Sequence, residues 1–261
     1  MRLDAWAKAG GWLRQWGRMG RDLLFPPRCV CCDADLAPEE SLRLLCAKCR
    51  RSLVARPWVT CRRCGAATAA ELPRPAACAR CRGVRVQFDG VVSLGSYQGP
   101  LRETVLKMKR RGNEALSTAM ARLLWDERGE LLAADRPDAV VAVPMYWLRR
   151  WMRGINSPDL VAEHLARRLG VPLRAGSLIR VRNTLPQANL PPRERLRNVR
   201  GAFRVRARCH LDGARLLLVD DILTTGATSN EIAAVLKKAG AASVAVAVLA
   251  RAEGKPPAHK K

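Results

Sequence analysis

Four Cys-x-x-Cys pairs between residues 29 and 81 constrain this chain more than any other feature: Cys29/Cys32, Cys46/Cys49, Cys61/Cys64 and Cys78/Cys81. Thirteen residues separate the pairs within each half, and the second half repeats the first with a shift of 32 residues. Each short turn presents two thiolates, and two facing turns complete a tetrahedron, the geometry zinc prefers. Disulfides belong to oxidising compartments, and a redox Cys-x-x-Cys occurs singly beside a βαβ unit. The expectation is therefore two structural zinc sites of four thiolates each. Spacing alone leaves the ligand sets open between sequential and interleaved; the sequential sets are favoured because each 21-residue half is self-contained. Cys31 reads as a bystander, and the isolated Cys209 as a small buried residue.

Metal also answers how this region folds. Residues 26–85 offer a thin apolar complement (Leu36, Leu42, Leu44, Leu45, Leu53, Val54, Trp58), so zinc must supply much of the folding free energy. Ahead of it, residues 1–25 space Trp12, Trp16, Met19 and Leu23 at helical steps, with Arg14, Arg18 and Arg21 between. That predicts an N-terminal amphipathic helix, suited to lipid, to nucleic acid, or to docking on its own domain or a partner chain. Gly10, Gly11, Arg14, Gln15 and Gly17 break any secretory h-region, and no apolar run approaches the ~18 residues of a membrane span. The chain is expected to be cytoplasmic, without a transmembrane segment.

The net charge is +24, with 47 Lys+Arg against 23 Asp+Glu, and it is uneven. Residues 1–87 and 151–215 each carry a net +10. Arg180–Arg208 holds nine arginines and one acid, Glu194. Such a field attracts phosphates on nucleic acid, on a small polyanion or at a membrane surface. Arg180, Arg182, Arg193, Arg195, Arg197 and Arg200 are the candidate nucleic-acid contacts.

From Phe88 the cysteines give way to alternating strands and helices. Val91–Leu94, Val140–Val143, Leu216–Val219 and Val244–Leu249 read as strands. Helices are expected over Leu101–Lys109, Leu116–Trp125, Ser157–Leu169 and about Asn230–Lys238. Ser157 serves as N-cap and Pro158 as first helical residue of the third, with Gly170 as its stop. His164 lies on that helix's inner stripe and reads as a packed residue rather than a base. Continuous apolar strands alternating with helices mean a parallel sheet covered on both faces. The domains expected are 1–25 (helix), 26–85 (double zinc ribbon), 86–252 (α/β domain) and 253–261 (basic tail).

Chemistry concentrates after the third strand, in Val219-Asp220-Asp221-Ile222-Leu223-Thr224-Thr225-Gly226-Ala227-Thr228. A helix N-terminus offers unpaired N–H groups and a positive dipole end, which suit a phosphate dianion. Gly226 permits the tight turn, and Thr224, Thr225 and Thr228 add hydroxyl donors. Asp220 and Asp221 repel that phosphate but accept hydrogen bonds from a ribose diol one sugar-length away. The pattern is a ribose-5-phosphate site. Neither Gly-x4-Gly-Lys-[Ser/Thr] nor Gly-x-Gly-x-x-Gly is present, so NTP hydrolysis and dinucleotide redox lack their usual marks.

Leu217–Thr228 resembles the phosphoribosyl pyrophosphate (PRPP) fingerprint of type I phosphoribosyltransferases. The chain from Phe25 to Arg251 is similar to the ComF/GntX group, which joins a zinc module to such a domain. Met108–Gly112 resembles the group's Leu-Lys-aromatic-x-Gly segment, with Arg110 at the aromatic position. Val143-Pro144 with Arg149, Arg150 and Arg153-Gly154-Ile155-Asn156 resembles its Val-Pro to Arg-Gly-Phe-Asn-Gln stretch, with Ser157 at the Gln position. Arg182-Asn183-Thr184, Gln187, Leu190, Arg195, Asn198-Val199 and Gly201-Ala202-Phe203 resemble its Arg-x-Thr to Gly-Ala-Phe run. The resemblance implies a type I phosphoribosyltransferase α/β fold, a parallel sheet flanked by helices, preceded by a small four-cysteine zinc-ribbon module. It implies PRPP bound by Asp220, Asp221 and Thr224–Thr228, Ala227 included, with Mg²⁺ carried by the substrate. Arg149, Arg150, Arg153 and Lys109 become catalytic candidates, and Arg180–Phe203 a flap. Two functions stay open: transfer of phosphoribose to an unidentified acceptor, or a module for single-stranded DNA in a competence context, working beside other DNA-uptake proteins.

Overall fold

The computed structural model describes residues 26–54, 59–69, 78–187, 190–207 and 209–252. The expected N-terminal helix (1–25) and the basic tail from 253 lie outside the described residues. By internal contacts the chain divides into two units, residues 1–50 and 51–261.

The first unit holds the first four-cysteine set, Cys29, Cys32, Cys46 and Cys49, together with Cys31. An isolated antiparallel bridge, Arg28 to Asp35, and a 3-10 turn, Pro38–Glu40, precede α1 (Ala47–Leu53), which runs across the division. Within the described part of this unit the buried apolar residues are Leu36 and Leu45, together with Cys29 and Cys49.

The second unit is a four-stranded parallel sheet in the order β1 (Gly90–Ser96), β6 (Ser243–Arg251), β5 (Arg215–Leu223), β2 (Ala139–Ala142). Between β1 and β2 come α2 (Gly99–Met108) and α3 (Glu114–Ala134). Next follow α4 (Trp147–Arg153) and α5 (Ser157–Leu169), then an antiparallel ribbon of β3 (Leu178–Arg180) and β4 (Phe203–Val205) with α6 (Pro192–Val199) between its strands. The last helix, α7 (Ala227–Lys238), joins β5 to β6. Side chains alternate across a strand. Leu216, Leu218, Val244, Val246 and Val248 therefore share one face, where Ile232 and Leu236 of α7 and Phe203 of the ribbon join one buried cluster. On the other side α3 and α5 pack together, α3 against β1 and α5 against β2.

Several expectations are corrected. The strand does not stop at Val219; β5 runs through both aspartates to Leu223, because β6 continues to pair with it as far as Leu223–Arg251. The following helix starts at Ala227, not near Asn230, because Gly226 adopts φ 80° and caps it. The helix expected over Leu116–Trp125 is 21 residues long, held past Gly129 by the buried Leu132. Asn156, not Ser157, is the N-cap of α5; the Ser157 hydroxyl is buried and donates to the Met108 carbonyl at 3.0 Å. His164 is half-buried, and burial with the charges of Arg122, Arg167 and Arg168 holds its imidazole below the ordinary value. Cys209 is half-exposed rather than buried. The second set of four cysteines packs on the α/β body. The Val91 N–H donates to the Arg62 carbonyl at 2.9 Å, and Arg62 pairs with Asp135 at 3.3 Å. A Cβ on Gly65 would lie 2.6 Å from Val91 Cγ1.

Candidate functional site

The two cysteine sites are built by the same backbone bonds, 32 residues apart. The N–H groups of Cys29 and Cys61 donate to Ala34 and Ala66 carbonyls, both at 2.8 Å. Those of Asp33 and Gly65 return to the Cys29 and Cys61 carbonyls, again at 2.8 Å. Both turn residues have positive φ, 61° at Asp33 and 69° at Gly65. The ligand sets are sequential: Cys29, Cys32, Cys46 and Cys49 form one group, and Cys61, Cys64, Cys78 and Cys81 the other, with the sulfurs of each within 4.8 Å of one another. Cys31 belongs to neither group.

The donor sets fit zinc. Zn–S bonds of about 2.3 Å at tetrahedral angles place sulfurs about 3.8 Å apart. The Cys32–Cys46, Cys61–Cys81 and Cys78–Cys81 separations are 3.8 Å, and Cys64–Cys78 is 3.6 Å. Burial raises the Cys29 and Cys61 thiols, but backbone N–H donors (Cys46 and Cys32 to Cys29, Cys78 and Cys64 to Cys61) outweigh it and bring both down to about 7. Burial and the neighbouring sulfurs push Cys49 and Cys64 up. Four crowded sulfurs ionise together only around a cation. All four positions of each site are Cys, which makes both sites closed and structural.

The second site lies at the carboxyl ends of the strands. β2 accompanies β5 only from Leu216 to Val219, while β6 follows it to Leu223. Beyond Val219 one edge of β5 is open, and the two acids sit there. Strand alternation sends them to opposite faces. Asp221 meets Lys109, the cap residue of α2, with Nζ to Oδ2 at 2.9 Å. Lys109 is lowered by burial, but Asp221 and Asp220 more than compensate and raise it above its usual value. Asp220 faces the side of the ribbon, and its Oδ1 accepts the Asp221 N–H at 2.8 Å. Burial, then the Asp221 charge, push its carboxyl up to about 8.

Thr224, Thr225 and Gly226 link these acids to α7. The first helical bond runs from Asn230 N–H to Gly226 carbonyl at 2.8 Å, which keeps the N–H groups ahead of it out of the helix ladder; that of Ala227 donates to the Thr225 hydroxyl at 3.4 Å. With Asp220 and Gln187 this loop and the first turn of α7 line an open recess of about 200 Å³. Gln187, between β3 and α6, reaches in and donates to the Thr228 hydroxyl at 3.3 Å. Ser229 also lines it, with a buried hydroxyl that has no protein partner. Sequence reasoning stopped at Thr228; helix period alone could have placed Ser229 on the first turn.

The cationic candidates separate. Lys109 belongs to the acid pair. Arg149 donates to the Thr184 carbonyl at 2.6 Å. Arg150 pairs with Asp159 at 2.7 Å, and Arg153 is exposed at the end of α4. Arg180 is not a free surface contact. It lies over the Phe203 ring at 5.4 Å, bonds the Thr184 hydroxyl and keeps its Nε buried without a partner. Burial and the nearby Arg149 charge lower it, while Asp220 raises it. Arg182 and Arg195 bond backbone of the same segment, Arg182 the Asn198 and Arg200 carbonyls and Arg195 that of Leu190. Arg193, Arg197 and Arg200 are exposed. Of the six nucleic-acid candidates the fold thus engages Arg180, Arg182 and Arg195 in bonds between residues 180 and 203 and leaves Arg193, Arg197 and Arg200 exposed. No described helix is long and apolar enough to cross a membrane.

Comparison with known proteins finds two domain families in the chain. Residues 21–82 match the double zinc ribbon domain family, and residues 160–261 the phosphoribosyl transferase domain family. The DNA utilization protein YhgH of Salmonella typhimurium is 36% identical over 224 residues, covering 79% of this chain and 96% of its own length. Competence protein F of Haemophilus influenzae is 31% identical over 233 residues, covering 87% and 98%. Competence protein ComFC of Bacillus subtilis is 26% identical over 246 residues, covering 85% and 94%.

Separate sequential sites make a checkable prediction. Native mass spectrometry should find two zinc ions per chain. Cys46→Ser and Cys81→Ser should each lose one and retain the other; loss of both from either variant would contradict independent sites.

Proposed function

This chain belongs to the family of competence protein F and the YhgH DNA utilization proteins, and from that premise we propose that its α/β domain binds PRPP and transfers the phosphoribosyl group to a nitrogen acceptor. The observation that carries the reading is the pairing of two half-buried aspartates at an open strand edge with the helix-capping loop beside them. Asp220 and Asp221 accept the ribose 2′- and 3′-hydroxyls. The 5′-phosphate lies on the N–H groups of Thr225–Thr228, with the orphaned Ser229 hydroxyl as a further donor.

Arg149 and Arg180 support a place for the pyrophosphate. Burial and then the nearby Arg149 charge lower Arg180, whose Nε is buried without a partner; an anion between the two guanidiniums would answer both. In the transfer the acceptor nitrogen bonds the anomeric carbon as the carbon–pyrophosphate bond breaks, the electron pair leaves on pyrophosphate, and the acceptor's N–H proton passes to solvent or to the departing pyrophosphate. Positive charge grows on the sugar, near the aspartates, and negative charge on the leaving group, near the arginines. Catalysis then rests on preorganised charge and alignment. Magnesium bound with PRPP neutralises part of the pyrophosphate charge. Gln187, already on Thr228, fits a flap that closes over the sugar.

The raised Asp220 gives the pH dependence its sign. Its folded value of about 8 exceeds the ordinary carboxylate value, so the unliganded fold holds a proton that the unfolded chain has lost. Its contribution to stability is complete below about pH 4 and is lost as pH rises towards 8. A ligand that needs both carboxylates ionised must expel this proton. Calorimetry at about pH 7 in buffers of different ionisation enthalpy should show proton release on Mg-PRPP binding, absent in Asp220→Asn. Asp221→Asn should weaken PRPP affinity about tenfold or more with both zincs retained, that being the loss of a charge-assisted hydrogen bond. Unchanged affinity would refute the assignment.

A second reading, binding of single-stranded DNA, has its own observation. Helix α4 is inside out: Arg149 and Arg150 bond protein groups, while Trp147 and Trp151 are 65% and 78% exposed and Met152 58%. Indoles four residues apart share a helix face about 6 Å apart, and Arg153 with the net charge of +24 suits phosphates. Aromatic platforms beside arginines take unpaired bases at about 1–3 kcal/mol each. Oligo-dT affinity should fall steeply with salt, and Trp151→Ala should weaken it about fivefold or more at fixed salt. A flat salt titration would exclude this mode.

A further inference from the structure

The last residue of β6, Arg251, is wedged between β1 and β5, pairing in register with Ser96 on one side and Leu223 on the other. Its guanidinium joins two parts of the molecule that have separate chemistry. Nε donates to the Cys64 carbonyl at 2.9 Å. Nη1 faces the carbonyls of Leu223 at 3.0 Å, Thr224, and Ala252 at 2.6 Å. Cys64 is a ligand of the second zinc site, and Leu223 and Thr224 open the loop assigned to the phosphate.

We propose that Arg251 is a positioning residue that makes the second zinc site the support of the phosphate loop. The inference rests on the reading of that loop as a phosphate site. Three physical arguments carry it. First, carbonyl dipoles aimed at a phosphate repel it; the guanidinium takes the Leu223 and Thr224 carbonyls, which leaves N–H groups for the anion. Second, one cation serves several oxygens here because only a guanidinium has a planar fork of donors, so lysine cannot replace it. Third, the zinc turn is itself pressed onto the sheet. Gly65 lies so close to Val91 that a Cβ would be 2.6 Å from Cγ1, and the same Cβ would lie 3.6 Å from Arg251 Cδ. The turn, Val91 and the Arg251 side chain are therefore packed against one another. In the first zinc site the equivalent residue is Asp33, which is exposed. The coupling accordingly belongs to the second site.

Coupling between two binding events is reciprocal. Zinc in the Cys61 site favours the ordered loop, and a ligand on the loop must favour zinc in that site by the same factor.

The full chain loaded with zinc provides the test. Amide hydrogen exchange is followed in peptides spanning Ile222–Thr228, zinc content by native mass spectrometry, and PRPP affinity by calorimetry. In Arg251→Ala the loop should exchange roughly tenfold faster or more and PRPP affinity should fall about tenfold, with two zincs retained. Arg251→Lys should show the same direction, and it decides the matter if the alanine variant does not fold. Cys81→Ser should speed loop exchange, and Cys46→Ser should not. In a zinc competition titration, Mg-PRPP should tighten the second site alone. Wild-type loop exchange in a folded Arg251 variant overturns the clamp. Wild-type protein that binds no PRPP overturns the phosphate reading instead, and loop exchange still decides the clamp.

Discussion

The difference in length between two neighbouring strands governs this molecule. β5 is nine residues long and β2 four, so β5 loses its partner after Val219 while β6 still holds it. In a fully paired strand two consecutive aspartates would be buried on both faces at great cost. At an open edge they are half-buried, each against a different part of the chain. Asp221 finds Lys109 at 2.9 Å, and Asp220 has its neighbour's N–H and the more distant charges of Lys109 and Arg180. The pair is thus held unequal, Asp221 against a lysine and Asp220 with its carboxyl pushed up by burial and by its neighbour's charge.

Metal substitutes for a core where the core is too small. The four buried residues described in the first unit would not order a chain of this length alone. The second site meets a different demand. It docks on β1, an edge strand whose free N–H and C=O groups need partners, and the Val91 N–H finds the Arg62 carbonyl. The same cysteine pattern therefore folds two turns alike but sets them in different surroundings. Asp33 and Gly65 mark that difference.

The metal ligands and the acid–threonine loop were legible because their chemistry is local. Cys-x2-Cys spacing fixes a turn, and a Gly after two threonines fixes a helix start. The strand and helix order followed from continuous apolar runs such as Leu216–Val219 and Val244–Leu249. What was not legible depended on partners far along the chain. The continuation of β5 through Asp220 and Asp221 comes from β6, whose pairing no local propensity reports. Asn156 took the cap from Ser157 because Ser157 had a buried carbonyl to satisfy 49 residues earlier, at Met108. A run of arginines reads from sequence as one basic surface. In the fold Arg180 turns inward to Phe203 and Thr184, and Arg182 bonds the backbone near α6. The bridging role of Arg251 was invisible for the same reason, since its oxygen partners come from residues 64, 223, 224 and 252.

The account stands on the placement of one small ligand. A crystal of the zinc-loaded chain soaked with Mg-PRPP should show the 5′-phosphate on the amides of Thr225–Thr228, within hydrogen-bond reach of Ser229, and the ribose hydroxyls on Asp220 and Asp221. Density for the phosphate elsewhere, or a recess still filled by Gln187 with no ligand at saturating concentration, would contradict it.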